Sequence, residues 1–220
     1  MAEIKALIFD LDGVIVDTAE YHYAAWKRLA DQLGITFTKA DNELLKGVSR
    51  VKSFDILLGL GPVEMSEGEK EPYRDQKNKW FVEYISKMTP ADILPGVVDF
   101  IAREKENNRK IVLGSASKNA ASVLKNVELI DAFDAIVDGT HVSAAKPDPE
   151  VFLKGAEAVQ VAPKNCLVFE DAAAGVEAAI NGDMYCVGIG APEVLGKAHW
   201  VVPGIGYIKM EEFKRKIESL

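Results

Sequence analysis

Ala6-Leu7-Ile8-Phe9-Asp10-Leu11-Asp12-Gly13-Val14 is the stretch on which the fold turns. A short apolar run without polar alternation stops at two carboxylates and a glycine. Such a run suits a strand buried on both faces of a parallel sheet. Two aspartates two residues apart at the end of that strand cannot both point into the sheet. With Gly13 beside them they belong on an exposed turn and face the same space. Lys110-Ile111-Val112-Leu113, ending at Gly114-Ser115, has the same form. So do Ala135-Ile136-Val137, Cys166-Leu167-Val168-Phe169 and Cys186-Val187-Gly188-Ile189, and Trp200-Val201-Val202 is a sixth candidate. Helical patterns are expected at 97–107, 119–127, 149–159 and 172–181, with Gly182 as a C-terminal stop. Strand–helix alternation from about residue 93 onward predicts an α/β fold with a doubly wound, Rossmann-like parallel sheet. Ligands of such sheets sit at the carboxyl ends of the strands. Asp10 and Asp12, Ser115 and Ser117, and Glu170 and Asp171 are all delivered there.

Residues 16–93 break the rhythm. They read as nearly all helical, with helices expected at 18–33, 39–45, 51–58 and 73–88. Trp26, Leu29, Ala30 and Leu33 form an amphipathic stripe at i, i+3, i+4 and i+7. A βα connection usually takes a few residues. Segment 16–93 therefore reads as a helical cap domain inserted over the carboxyl edge of a catalytic core made of 1–15 plus 94–220.

Composition sets the bounds. Among 220 residues, 26 Lys and Arg face 34 Asp and Glu, for a net charge of −8, and 48% are apolar. This is a globular composition, neither disordered nor fibrous. The acidic balance argues against nucleic acid, which recruits basic residues in excess, and leaves room for a small phosphorylated ligand. Cys166 and Cys186 are too few for a disulfide framework and read as buried thiols. Glu3 and Lys5 precede no long apolar region, so no signal peptide is expected, and no run approaches a membrane span. The expectation is a cytoplasmic monomer with neither membrane nor nucleic-acid partners.

The polar strand ends carry the chemistry. A carboxylate in the Asp10-Leu11-Asp12-Gly13 turn can attack phosphorus, and its neighbour can shuttle a proton; plain turn chemistry is the alternative. Gly114-Ser115-Ala116-Ser117-Lys118 offers hydroxyls and backbone N–H groups to phosphate oxygens at the start of a helix. Lys146, held before Pro147, is a fixed cation for a phosphoryl group. Glu170-Asp171 suits Mg²⁺, a hard cation that prefers oxygen ligands. Each cluster alone also reads as a solvated loop, but all follow buried strands.

In this order the clusters resemble the haloacid dehalogenase superfamily of aspartate-nucleophile phosphotransferases, over essentially the whole chain. The stretches FDLDGVIVDTAEYH (9–22), LKGVSR (45–50), SASKN (115–119) and Thr89-Pro90-Ala91-Asp92 are similar to the sugar-phosphate mutases of that family. The resemblance implies Asp10 as nucleophile and Asp12 as general acid/base. It implies Mg²⁺ on the Asp10 carboxylate, the Asp12 carbonyl, Glu170 and Asp171, with Ser115 and Lys146 on the transferring phosphoryl group. Ala116, Ser117, Lys118 and Asn119 are expected beside the substrate. The implied reaction interconverts β-D-glucose 1-phosphate and glucose 6-phosphate through a bisphosphate. Ala172 departs from the Ser that many relatives carry there, and 59–71 resembles nothing in the family pattern.

The insert has its own reading. Lys46-Gly47-Val48-Ser49-Arg50 is a basic turn between helices, and Arg grips phosphate with paired donors. A mutase needs a second phosphate site. Lys46, Ser49 and Arg50, with Ser53 and Lys77, are expected to form it; a solvated charged turn is the alternative. Thr18, His22 and Trp26 share one helix stripe at i, i+4 and i+8. Thr18 is expected at the hinge, His22 on Asp12, and Trp26 either against the sugar or in the core. His141 and His199 read as structural. The rival activities are a phosphatase, a metal-free dehalogenase and a silent binding protein.

Overall fold

The computed structural model describes residues 3–218. Helices α1 (Ala19–Gln32), α2 (Lys39–Glu43), α3 (Arg50–Gly59) and α4 (Glu67–Ile85) form the insert. Beyond it come α5 (Val97–Glu106), α6 (Ala120–Asn126), α7 (Glu150–Ala158), α8 (Ala173–Asn181), α9 (Pro192–Leu195) and α10 (Met210–Ile217). The strands are β1 (Ala6–Phe9), β2 (Lys110–Gly114), β3 (Ala135–Val137), β4 (Cys166–Glu170), β5 (Tyr185–Ile189) and β6 (Trp200–Val202). They form one sheet in the order β3-β2-β1-β4-β5-β6, and every neighbouring pair is parallel. This is the doubly wound α/β core expected from the strand–helix alternation.

Both faces of the sheet are covered, which is why the strands show no polar alternation. Leu7 and Phe9 face one apolar cluster with Phe100 of α5, Leu124 of α6 and Phe213 of α10. Ala6 and Ile8 face the other, with Phe152 of α7, Val176 of α8 and Leu195 of α9. Phe9 stacks on Phe169 at 4.7 Å between ring centroids and meets Phe100 edge-on at 6.2 Å. Cys166 and Cys186 are buried free thiols, as expected.

The chain leaves β1 through a tight turn in which Gly13 N donates to Val16 O at 2.8 Å and Ile15 N to Leu11 O at 2.9 Å. The returning chain pairs with it: Val16 bridges Ile93, and Leu94 N donates to Ile15 O at 2.9 Å. The insert is not insulated from the sheet. Trp26, Leu29, Phe54, Leu57 and Phe81 belong to the same apolar cluster as Phe9 and Phe100.

One helix boundary differs from the sequence expectation. The pattern places the start at 73, yet α4 begins at Glu67. The Glu69 carboxylate accepts from Ser66 N at 2.8 Å and from Ser66 Oγ at 2.6 Å, which fixes the earlier start. Pro72 removes one N–H whose partner would be the Gly68 carbonyl. Gly68 is exposed, so water can serve that carbonyl. The capping box and the first turns of α4 thus account for part of the unplaced segment 59–71. Among the described residues no helix is long and apolar enough to cross a membrane.

Phe9→Ala removes a side chain that is fully buried among three aromatic rings. It is expected to cost about 3–5 kcal/mol of unfolding free energy, as for other buried Phe truncations. The check is the urea midpoint of the variant against the unmodified protein at equal m-value.

Candidate active site

Strand order reverses between β1 and β4, and a doubly wound sheet opens a crevice there. Phe9 pairs with Phe169 in register, so Asp10 and Glu170 leave the sheet side by side. Asp10 N donates to Phe169 O at 3.0 Å. Lys146, with its side chain 1% exposed, reaches between the two acids. Its Nζ donates to Asp10 Oδ1 at 2.6 Å and to Glu170 Oε1 at 2.5 Å. Burial alone would weaken the Lys146 ammonium. The Asp10 and Glu170 charges and hydrogen bonds outweigh it and hold the group protonated above the ordinary lysine range. Glu170 Oε2 accepts from Ala172 N at 2.7 Å.

Asp12 N donates to Asp10 Oδ2 at 3.1 Å. The Asp12 carboxyl is pushed up to about 6, first by burial and then by the Asp10 charge. Thr18 Oγ1 donates to Asp12 Oδ1, whereas His22 Nε2 stands 3.9 Å from Oδ2. The hydrogen bond expected from His22 is therefore made by Thr18. Burial and the Lys77 charge keep the His22 ring well below its ordinary value, hence neutral. Its Nδ1 lies 3.1 Å from Lys77 Nζ. A neutral ring that accepts there carries its proton on Nε2, facing Asp12.

Lys77 is only 3% exposed. Its ammonium lies 4.5 Å from the Trp26 ring centroid and 4.6 Å from that of Phe81. Burial, then the Arg50 charge, bring it down to about 7. Among the described residues no carboxylate lies within ion-pair distance of Lys77 or of half-buried Arg50. Trp26, one of the residues expected beside the substrate, is 2% exposed and stacked on Phe54. Its ring is enclosed in the insert's core, where it holds Lys77. Ser53 is likewise buried. Ser49 Oγ accepts from Lys52 N at 3.3 Å and caps α3. Lys46 pairs with Glu43 at 2.8 Å, and the Asp171 charge also helps to hold its ammonium above the ordinary range, against burial.

At the end of β2, Ser115 is 1% exposed and its Oγ accepts from Ser117 N at 3.2 Å. Ser117 Oγ accepts from Asn119 N at 3.3 Å. Ala116 is half-buried and Lys118 exposed. Asn119 Nδ2 donates to Asn78 Oδ1 of α4 at 3.0 Å, a link between sheet loop and insert that no local pattern marks. The supports of the Lys146 loop also escape the sequence reading. Asp138 Oδ1 accepts from Thr140 N at 2.9 Å and lies 2.9 Å from His141 Nδ1. Glu150 Oε2 accepts from Ser143 N and Ala144 N at 2.8 and 2.7 Å. The acid in Asp148-Pro149-Glu150, at the start of a helix just past Lys146, is the signal available for the second.

Two glycines let the acids approach. A Cβ on Gly13, whose φ is +73°, would lie 2.2 Å from Asp171 Oδ2. A Cβ on Gly175 would lie 1.9 Å from Glu170 Oε1. Gly47 has φ +70°, and a Cβ there would lie 2.7 Å from Ala172 Cβ. The basic turn of the insert therefore rests directly against the residue after the acidic pair, where a small side chain is required.

A family model for haloacid dehalogenase-like hydrolases matches residues 4–183. The chain belongs to the haloacid dehalogenase-like hydrolase family. It is 44% identical over 201 residues to the β-phosphoglucomutase of Bacillus subtilis, covering 90% of this chain and 89% of the relative. A crystal structure of β-phosphoglucomutase from Clostridium difficile superposes with a TM-score of 0.92 at 44% identity over 98% of both chains. The phosphorylated carbohydrates phosphatase of Thermotoga maritima is 30% identical over 99% of this chain and 100% of its own.

Haloacid dehalogenase-like membership implies a divalent cation, and the residues present fit one. The donors are carboxylate and carbonyl oxygens, as hard cations require. The space occupied by the Asp171 carboxylate exists only because position 13 lacks a Cβ. Asp171 is pushed up to about 8, first by burial and then by the Glu170 and Asp10 charges, a repulsion that a cation would relieve. Among the described residues no three acidic, His or Cys side chains form a preassembled cage. Backbone oxygen, water or substrate must complete the shell, as is usual for small hard cations.

Two outcomes are expected. Gly13→Ala displaces the Asp171 carboxylate and should weaken divalent-cation binding roughly 10–100-fold, the range for lost support of a metal ligand; calorimetric titration reads it. Lys77→Met should leave the insert folded and change the pH dependence of stability. In the unmodified protein Lys77 binds its proton less tightly folded than unfolded. Stability contributed by this group therefore rises with pH between about 7 and 10.4. Melting temperatures across that interval should rise less in Lys77→Met than in the unmodified protein.

Proposed function

We propose that this chain is a Mg²⁺-dependent β-phosphoglucomutase, interconverting β-D-glucose 1-phosphate and glucose 6-phosphate. The observation that carries the reading is the pair of basic groups in the insert, Lys77 and Arg50, with no carboxylate at ion-pair distance among the described residues. A phosphatase needs one phosphate site, beside Asp10. A buried ammonium with no counter-ion is costly, and a second phosphate on the substrate would neutralise it. The 44% identity to the Bacillus subtilis mutase supports the same conclusion.

The 6-hydroxyl of β-glucose 1-phosphate attacks the phosphorus on phosphorylated Asp10, its proton goes to Asp12, held by Thr18, and the P–O bond to Asp10 breaks. The resulting bisphosphate turns over between the two phosphate sites. Asp10 Oδ then attacks the phosphorus at C1 and the P–O bond to the sugar breaks. The departing C1 oxygen takes the proton back from Asp12, which leaves glucose 6-phosphate and phosphorylated Asp10. Lys146 and Ser115 hold the phosphoryl oxygens, and Arg50 and Lys77 hold the phosphate that is not in transfer. Mg²⁺, held by the Asp10 carboxylate, the Asp12 carbonyl, Glu170 and Asp171, supplies positive charge against the phosphoryl oxygens. Residues 16–93 act as a cap whose closure over 1–15 plus 94–220 excludes water from phosphorylated Asp10.

Phosphorus NMR with β-glucose 1-phosphate, Mg²⁺ and a trace of acetyl phosphate should show glucose 6-phosphate accumulating. Stoichiometric inorganic phosphate in its place would establish the phosphatase. Arg50→Ala should lower mutase turnover about 10–100-fold, the equivalent of losing charge-assisted hydrogen bonds. Phosphorylation of Asp10 by acetyl phosphate, which has no second phosphate, should change little in the same preparation.

A further inference from the structure

The Lys146 ammonium has three N–H bonds and two oxygen partners, Asp10 Oδ1 and Glu170 Oε1. Its third neighbour is an aromatic ring. The centroid of Phe152, on α7, lies 4.7 Å from Nζ. Phe152 is fully buried. The ring is fitted closely beneath the strand ends: a Cβ on Gly114 would come within 2.8 Å of Phe152 Cδ1 and 3.1 Å of Ile8 Cγ2. Glycine at the end of β2 thus lets the ring reach the space below Lys146.

Filling this part of the core needs only apolar volume, which leucine also supplies. Standing face-on to a buried ammonium is different. The aromatic face is negative and attracts a cation most strongly where water is excluded. The attraction is also undemanding in direction. A third carboxylate would capture an N–H. The ring instead holds the ammonium in place and leaves one N–H free to turn toward an arriving oxygen.

We propose that Phe152 is a positioning residue for phosphoryl transfer, its π face keeping Lys146 Nζ centred between Asp10 and Glu170 and ready for the phosphoryl oxygens. The inference rests on the reading of Asp10 as nucleophile and Lys146 as the phosphoryl-binding cation.

The test replaces Phe152 with 4-fluoro-, 3,5-difluoro- and 3,4,5-trifluorophenylalanine, which weaken the ring's negative face stepwise at nearly constant size. The readout is single-turnover phosphorylation of Asp10 by acetyl phosphate with Mg²⁺, alongside the melting temperature. The rate should fall stepwise across the series, by roughly tenfold at three fluorines, within the limit of about thirtyfold set by a desolvated cation–π contact. Melting temperatures should not follow that order. Phe152→Leu, where it folds, should match the trifluorinated protein. A flat series in a protein that does take phosphate would overturn the role of Phe152 and leave the proposed reaction standing. A loss of rate that tracks loss of folded protein would make Phe152 a packing residue only. Failure of the unmodified protein to take phosphate would instead remove the reading of Asp10, and this inference with it.

Discussion

A single ammonium organises the site. Lys146 Nζ, withdrawn from water, is bound by Asp10 and Glu170 at 2.6 and 2.5 Å. One buried cation held by two carboxylates is stable only if all three groups are delivered together, because any one left alone inside the protein is strongly disfavoured. Three separate pieces of chain meet this requirement. Parallel pairing of β1 with β4 places the two acids side by side, and the loop braced by Asp138 and Glu150 brings the lysine across from β3. The supporting carboxylates carry no chemistry, yet without them the Lys146 side chain would have no fixed base from which to reach across the crevice.

The electrostatics of the two sides are complementary. The sheet edge concentrates acid: Asp10 and Glu170 share the Lys146 ammonium, and the neighbouring Asp12 and Asp171 are both pushed upward. The insert concentrates base: burial and then the Arg50 charge depress Lys77, and burial together with the Arg74 charge depresses Arg50. A metal cation suits the first surface and a phosphate dianion the second. Substrate that carries its own negative charge therefore satisfies the insert, while the cation satisfies the sheet. On the proposed reading, a bisphosphorylated sugar would bridge the two.

Water exclusion follows from packing. The insert shares an apolar cluster with one face of the sheet, and its basic turn touches Ala172 through Gly47. Asn78 and Asn119 join across the same boundary. The insert thus meets the sheet edge through a few small contacts next to a common core. Family relatives named as a mutase and as a phosphatase are similar over most of this chain, so on the proposed reading the outcome for phosphorylated Asp10 would depend on whether a hydroxyl or water reaches it first.

Much of this is legible in the sequence. Local sequence determined the strands, because runs such as Ala6–Phe9 and Cys166–Glu170 are apolar on both faces and end in polar residues. It also marked Asp10, Asp12, Ser115, Lys146, Glu170 and Asp171, since each follows a buried strand in a fixed order. Tertiary structure decided what these residues touch. Lys146 and Asp10 are 136 positions apart, and no periodicity reports a distance across the sheet. Trp26 sits on an amphipathic stripe that reads equally as site or core, and only packing against Phe54 and Lys77 assigns it to the interior. The hydrogen bond to Asp12 comes from Thr18 because a four-residue step along α1 carries His22 beyond reach. Short-range pattern records which side chains are buried or polar; which of them meet is a property of the whole chain's path, and that path is set by long-range packing.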